Sequence, residues 1–146
     1  LGLGWSWVVE VDNRFAGQME LTGLTQAPTR AVRVGAWIGH RFTGQGVGSA
    51  ALALALDHAF SSEGVQLAEA FVDSDNEHSR RALLSMGFRR CAQQQTLRST
   101  WESAFPPDPA AELFEITPAD LQQGRSSFVD HTLNRHHNRP SRFDGV

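Results

Sequence analysis

The sequence predicts an α/β fold, because segments typical of strands alternate with segments typical of helices along its 146 residues. Three strands come first, at about Ser6–Val11, Arg14–Thr22 and Arg30–Ile38, and the Asp12-Asn13 pair marks a tight turn between the first two. A glycine-rich loop and a long helix rich in alanine and leucine follow the third strand. A further strand and a second helix then complete the alternation.

The elements after the loop have recognisable ends. The first helix is expected from about Gly46 to Ser61, since its apolar residues recur near helical spacing. A strand over Gln66–Val72 follows it. Asp75 or Asn76 can cap the second helix, which is expected to end at Met86-Gly87 because glycine readily adopts the left-handed conformation that follows a helix.

Composition is that of a single domain of ordinary size. The formal charge is -3 and 40% of the residues are hydrophobic, which favours neither a nucleic-acid partner nor a membrane. The only cysteine, Cys91, excludes an internal disulfide and fits a reducing, cytoplasmic location. The last strands are expected at Arg89–Trp101 and Ala111–Thr117. We therefore divide the chain into a domain over 1–120 and a polar tail, expected to be disordered, over 121–146.

The glycine-rich loop, Gly44-Gln45-Gly46-Val47-Gly48, lies between a strand and a helix. Backbone N–H groups in such a loop can point at an anion, and the start of the helix adds a partial positive charge. A nucleotide P-loop is excluded because the chain contains no lysine. The dinucleotide pattern G-x-G-x-x-G is excluded because the third glycine comes one residue too early.

The loop resembles the pyrophosphate-binding loop of the GNAT superfamily of acyl-CoA-dependent N-acyltransferases, whose pattern is Gln/Arg-x-x-Gly-x-Gly/Ala. Two registers fit. Arg41, Gly44 and Gly46 satisfy the letters of the pattern. Thr43, Gly46 and Gly48 lie better against the helix start, although Thr43 departs from the pattern. We prefer the second register, with Arg41 supplying charge from nearby.

A second motif strengthens the resemblance. Asn76-Glu77-His78-Ser79, followed by a helix ending in Gly87-Phe88, is similar to the N-x-x-S…G-F segment of the Rim-type branch, which includes enzymes that acetylate the N-termini of ribosomal proteins. Trp7–Val11 and Phe15–Leu21 resemble the family's central hairpin, and Glu112–Pro118 resembles a late strand. The resemblance covers about the first four-fifths of the chain.

The resemblance implies a mixed, mostly antiparallel sheet flanked by helices, with acetyl-CoA held where one strand splays from its neighbour. Backbone groups of the third strand would contact the pantetheine arm and the thioester carbonyl. The loop and the start of the first helix would hold the pyrophosphate, and Asn76 would orient the pantetheine or the helix start. The residues so implied in binding acetyl-CoA are Trp37, Ile38, Gly39, Arg41, Gly44, Gln45, Gly46, Val47, Gly48, Ser49 and Asn76. Side-chain burial is an equally good interpretation of Trp37 and Ile38.

Acetyl transfer to an amine also needs a proton donor for the leaving thiolate and a base for the amine. Many superfamily members use a tyrosine as the donor, and this chain contains no tyrosine. Ser79 stands at the serine of the Rim-type motif and is our candidate, relaying a proton through water; its alternative role is a helix-start residue bonded to backbone. Glu69 on the predicted fourth strand is the candidate base. Glu20 is a weaker one.

The function implied is acetyl transfer from acetyl-CoA to a primary amine, with a protein N-terminal α-amine as the favoured acceptor. A small-molecule amine is the first alternative, and a non-catalytic acyl-CoA-binding domain is the second. The chain opens near the family's second strand, without the strand and two helices that usually cover the acceptor side, so we expect the Trp5 and Trp7 region to leave an apolar patch. We expect the chain to self-associate or to be one piece of a longer polypeptide, with the partner completing the acceptor site. No metal is expected, because His131, His136 and His137 cluster in the polar tail without suitably spaced ligands.

Overall fold

A computed structural model describes residues 3–91 and 110–121, which form one six-stranded sheet with two helices. The strands lie in the order β1-β2-β3-β4-β6-β5, and every neighbouring pair is antiparallel except β3 and β4. The strands are β1 Trp5–Val11, β2 Arg14–Thr22, β3 Ala31–Ile38, β4 Leu67–Val72, β5 Arg89–Arg90 and β6 Glu112–Ile116. The helices are α1 Val47–Ser62 and α2 Glu77–Met86. This mixed, mostly antiparallel α/β architecture confirms the fold class predicted from the sequence.

The first hairpin has the tight turn that the sequence predicts. Asp12 and Asn13 have φ angles of 51° and 60°, and Val11 pairs directly with Arg14. Both angles lie in the left-handed region that a two-residue hairpin turn of this kind requires, and Asp and Asn tolerate that region better than most residues.

The parallel pairing of β3 with β4 is short. It joins Ala31–Arg33 to Leu67–Glu69 and then stops, although both strands continue. Beyond that point, among the described residues, β3 pairs with β2 alone and β4 pairs with β6 alone. The two halves of the sheet therefore separate towards the C-terminal ends of β3 and β4, and the separation leaves an opening between them.

Both helices pack on the same face of the sheet. Leu52, Leu56 and Ala59 of α1 join Leu83 and Met86 of α2 in one buried cluster with the core-facing residues of the strands. Burial of this apolar surface is the main force that holds the helices on the sheet. Because the helices cover one face, the strands present their alternate residues to the opposite face.

Most predicted boundaries agree with the observed ones within one residue. The last strands differ more. The sequence predicts a strand over Arg89–Trp101, whereas the structure has a strand of two residues, Arg89–Arg90, and residues 92–101 of that prediction lie outside the described residues. The expected tail over 121–146 lies outside them as well, apart from Leu121, which is buried and belongs to the core cluster.

Trp5 and Trp7 are half-buried, contrary to a simple exposed patch. Both rings make edge contacts with His58 of α1, with centroids 6.2 and 5.8 Å from it. The large apolar side chains exposed in this region are Leu3, Val8 and Leu54. Self-association of the chain stays a prediction.

Candidate active site

A cleft of about 490 Å³ occupies the opening between β3 and β4. Val34, Ala36 and Ile38 form one wall, and Ala70, Phe71 and Val72 form the other. The loop before α1 follows β3 and the start of α2 follows β4, so both lie at the open end of the cleft, to which they contribute Thr43, Gly44, Gly46, Val47, Gly48, Ser49, Asn76, His78 and Ser79. The structure therefore brings most of the predicted site residues to one cleft.

The backbone of β3 faces this opening. The N–H of Gly39 donates to the carbonyl of Ala16 on β2 over 2.7 Å, so residues of the same parity direct their backbone groups towards β2. Ala36 and Ile38 have the opposite parity and direct theirs towards the gap left by β4. Their N–H and C=O groups have no strand partner within residues 3–91 and 110–121, so they can pair with an extended ligand, as an added strand would.

The loop ends in a helix start with unused donors. Gly44 and Gly46 have φ angles of 75° and 79°, and a Cβ at either position would have open space around it. The first intrahelical bond of α1 runs from Ala50 N–H to Gly46 C=O, over 3.0 Å. The N–H groups of residues 47–49 therefore have no helical acceptor and can bind an anion at the cleft.

Both registers of the loop pattern keep their glycines at the cleft, because Gly44, Gly46 and Gly48 all line it. They differ in the residue before the glycines. Thr43 lines the cleft, whereas Arg41 is exposed in a short 3₁₀ helix over His40–Phe42 and does not line it.

Other contacts fix the loop from outside the cleft. The Gln45 side-chain amide donates to Arg41 C=O over 2.9 Å, so Gln45 fastens the loop, and its side chain lies towards a groove on the other side of α1. A Cβ on Gly48 would lie 3.4 Å from Ile38, and the helix start therefore approaches β3 closely.

From the sequence, Trp37 is expected either to contact acetyl-CoA through its backbone or to be buried in the core, and the structure places it in neither position. Its ring is 58% exposed and stacks on Phe15 with centroids 5.8 Å apart, so it is neither a core residue nor part of the cleft lining. By strand parity its backbone groups face β2, as the Gly39 N–H does. Among the predicted strand residues, Ile38 therefore remains the one with both side chain and backbone at the cleft.

The start of α2 presents Ser79 to the cleft. Asn76 is the N-cap, and its side-chain oxygen accepts from Ser79 N–H over 3.1 Å. The capping interpretation of Asn76 is thus confirmed. The Ser79 hydroxyl has no hydrogen-bond partner among residues 3–91 and 110–121, so it is available to a ligand or a water molecule.

Arg80, which the sequence analysis did not single out, holds this helix start in place. It donates to Glu112 of β6 over 2.9 Å and to Ser74 C=O over 2.8 Å, and it pairs with Glu77. Its guanidinium thereby ties three segments together next to Ser79. No sequence signal marks this role, because Glu112 is 32 residues away and its proximity depends on the pairing of β4 with β6.

Glu69 lies at the inner end of the opening, at the last parallel pair. It is fully buried, and neither carboxylate oxygen has a hydrogen-bond partner within the described part of the chain. Burial raises the pKa of Glu69 to about 7; the charge of Glu115 acts in the same direction and that of Arg33 opposes it. Glu69 alternates with Ala68 and Ala70, so its side chain lies on the face opposite the helices and does not line the cleft.

Within residues 3–91 and 110–121, no group of three potential ligands could hold a metal ion. The tail histidines lie outside those residues. No helix in the described ranges is long and apolar enough to span a membrane.

Comparison with known structures identifies similar folds. Mycobacterium smegmatis RimJ in complex with CoA-disulfide is 30% identical with a TM-score of 0.72; the match covers 88% of this chain and 60% of that one. Ribosomal-protein-S5-alanine acetyltransferase from Vibrio fischeri is 21% identical with a TM-score of 0.65, and the match covers 82% of this chain and 64% of that one. The CoA and spermine complex of spermidine N-acetyltransferase from Vibrio cholerae is 16% identical with a TM-score of 0.63, covering 80% and 67%.

The similarity covers part of each known structure. This chain spans about 60% of the RimJ chain, and the two matches below 25% identity show the fold alone. No curated protein sequence matches it at a significant level. The family model for the acetyltransferase (GNAT) domain matches residues 2–89, which hold both sequence motifs and most of the cleft. This chain therefore belongs to the GNAT acetyltransferase family.

Proposed function

We propose that the chain is the catalytic domain of an acetyl-CoA-dependent N-acetyltransferase whose favoured acceptor is the N-terminal α-amine of a protein. The opening between β3 and β4 carries this proposal. It combines backbone groups at Ala36 and Ile38 that face the gap with the anion-binding start of α1 and the Ser79 hydroxyl at the start of α2. These are the groups that an acyl thioester with a pyrophosphate requires.

The residues divide the binding task. The N–H groups of residues 47–49 bind the pyrophosphate, and the left-handed glycines let the ligand approach the backbone closely. Backbone groups of Ala36 and Ile38 pair with the pantetheine arm. An N–H of this strand then stabilises the negative charge that develops on the thioester oxygen when the amine attacks.

Proton transfers complete the reaction. The amine must lose a proton as it forms the C–N bond, and the thiolate must gain one as the C–S bond breaks. Ser79 relays the second proton: its hydroxyl donates to the thiolate and regains a proton from a water molecule, so it ends the step neutral; this hydroxyl lines the cleft. Glu69 accepts the first, also through a water molecule, because its carboxylate lies beyond the cleft wall.

The pKa of Glu69 supports an α-amine as the acceptor. A base with a pKa of about 7 is well matched to an α-amine, whose pKa is about 7.7–8.0 in model peptides, and poorly matched to an alkylamine near about 10.4. The similarity to RimJ points the same way. The spermidine N-acetyltransferases among the similar folds keep a small amine as the alternative acceptor.

A thioester-cleavage assay tests the proposal. The chain is incubated with acetyl-CoA and with a peptide that has a free α-amine, an N-blocked peptide that has one lysine, or spermidine, and thiol release is followed with a thiol-reactive dye. We expect release with the free α-amine above the other two. Release only with spermidine would assign a small-molecule acetyltransferase. Calorimetric binding of acetyl-CoA without release by any amine would assign a non-catalytic acyl-CoA-binding domain.

A further inference from the structure

Four charged residues form one row across four strands of the sheet. Arg33 on β3 pairs in register with Glu69 on β4, Glu69 pairs with Glu115 on β6, and Glu115 pairs with Arg89 on β5. Residues directly opposite each other on neighbouring strands share a face, so the row lies on the face away from the helices. Its charges run plus, minus, minus, plus.

Within the described residues, Glu69 is the member of the row whose side chain has no bonded partner. Arg89 lies 3.8 Å from Glu115 and 3.3 Å from Asp120, and it is largely exposed. The Arg33 guanidinium lies 4.4 Å from the centre of the Phe71 ring and makes no hydrogen bond to Glu69. Glu69 is therefore a buried carboxylate flanked by one cation and one anion, with neither bonded to it.

We propose that Arg33 and Glu115 are positioning residues that set the protonation state of Glu69 from opposite sides. Arg33 favours the carboxylate, and Glu115 favours the neutral acid. The inference rests on the proposed function, in which Glu69 is the base that must be ionised to accept a proton. The opposing charges keep the pKa of the buried Glu69 carboxyl near neutral pH. Both its ionised and its protonated form are then populated near pH 7, as a group that accepts and releases a proton requires.

Simple electrostatics predicts opposite effects of Glu115 and Arg33 on the pKa of Glu69. A like charge next to a carboxylate raises its pKa and an opposite charge lowers it, and both effects are strengthened when water is excluded. Burial is the largest cause of the raised pKa of Glu69; the charge of Glu115 raises this pKa further, and the charge of Arg33 lowers it. The pKa of Arg33 is itself lowered by burial, against the attraction of Glu69. Glu115 and Arg33 are the charged groups of the described residues that act on the pKa of Glu69, and both pair with it in register on the face away from the helices.

The test measures the pKa of Glu69 directly. Carbon-13 spectra of the carboxyl groups are recorded against pH, and the Glu69 resonance is assigned by its loss in Glu69→Gln. Glu115→Gln should lower the pKa of Glu69 and Arg33→Gln should raise it, each by about one pH unit. Arg33→Lys should restore most of the parent value. Glu10→Gln and Arg81→Gln change the net charge equally at exposed sites and should leave it unchanged.

Shifts in the same direction, or no shift in either variant, would overturn the inference. If Arg33→Gln fails to fold, the direction of the shift in the isosteric Glu115→Gln variant decides alone. The proposed function fails separately, and visibly, if Glu69→Gln keeps full turnover while the two shifts remain opposite. If both the proposed function and this inference hold, the pKa on the acid side of the kcat–pH profile should shift in each variant together with the pKa of the Glu69 resonance.

Discussion

The backbone N–H of Ser79, rather than its hydroxyl, completes the cap of α2 by donating to Asn76 over 3.1 Å. A backbone donor survives any substitution of the side chain other than proline. The cap and the hydroxyl of Ser79 can therefore be separated experimentally, which a serine that capped through its own oxygen would not allow.

Ser79→Ala should lower kcat by about 10-fold or more with little change in the affinity for acetyl-CoA, because a proton donor acts in the transition state. Steady-state kinetics and calorimetry measure the two quantities. Ser85→Ala is the matched control, since Ser85 lies on the same helix, is exposed and does not line the cleft. Unchanged kcat in a stably folded Ser79→Ala variant would exclude the role.

Gly46→Leu should abolish acetyl-CoA binding, because a side chain there blocks close approach of the pyrophosphate to the backbone. The substitution also strains a residue with a φ angle of 79°. Gly64→Leu carries the same strain, at a φ angle of 66° with equally open surroundings, but lies after α1 and outside the cleft. Calorimetry should show binding in the second variant and none in the first; equal losses would assign the effect to strain.

The stability of the fold should depend on the ionisation of Glu69. Folding raises the pKa of Glu69 from 4.5 to about 7. The contribution of its protonated form to the free energy of unfolding is therefore full below about pH 4.5 and is lost as the pH rises through about 7. The side chain of Glu69→Gln cannot ionise. The free energy of unfolding of this variant should therefore rise, relative to that of the parent, by roughly 3 kcal/mol between pH 4.5 and pH 7. Denaturant unfolding at several pH values measures the difference, and a constant difference between the two proteins would contradict a raised pKa.

Arg80→Gln should loosen the start of α2 and lower both the melting temperature and kcat, because Arg80 ties that start to Glu112 and to Ser74. Arg81→Gln removes the same charge one residue later, but in the described structure Arg81 pairs with Glu77 on its own exposed helix surface and with no other segment. A smaller effect in Arg81→Gln than in Arg80→Gln is expected by thermal unfolding. Equal effects would mean that the net charge, and not the three-way contact, matters.

Local patterns predicted the elements well where the signal lies within a few residues of the sequence. The turn at Asp12-Asn13, the cap at Asn76 and the helix start at Val47 depend on neighbours in the chain, and all three agree with the structure. The row through Glu69 depends on which strands pair and in which register. Glu115 lies 46 positions after Glu69, and no local pattern specifies that the two are opposite each other.

Side-chain environment was also harder to predict than secondary structure. Trp37 reads as a core residue by type, yet strand alternation turns it away from the helices and onto Phe15. The sequence shows a large apolar residue in a strand, whereas its face is fixed by register, and a shift of one residue would reverse it.

The early end of the β3–β4 pairing has a consequence for the exchange of backbone hydrogens with solvent. Central strands are usually the slowest to exchange, because both edges are bonded. In β3 the amides of Ala36 and Ile38 face the gap, while the Gly39 amide is bonded to β2. Deuterium should therefore enter this strand in an alternating pattern within the middle of the sheet. A bound pantetheine arm would remove the alternation by supplying the missing acceptors.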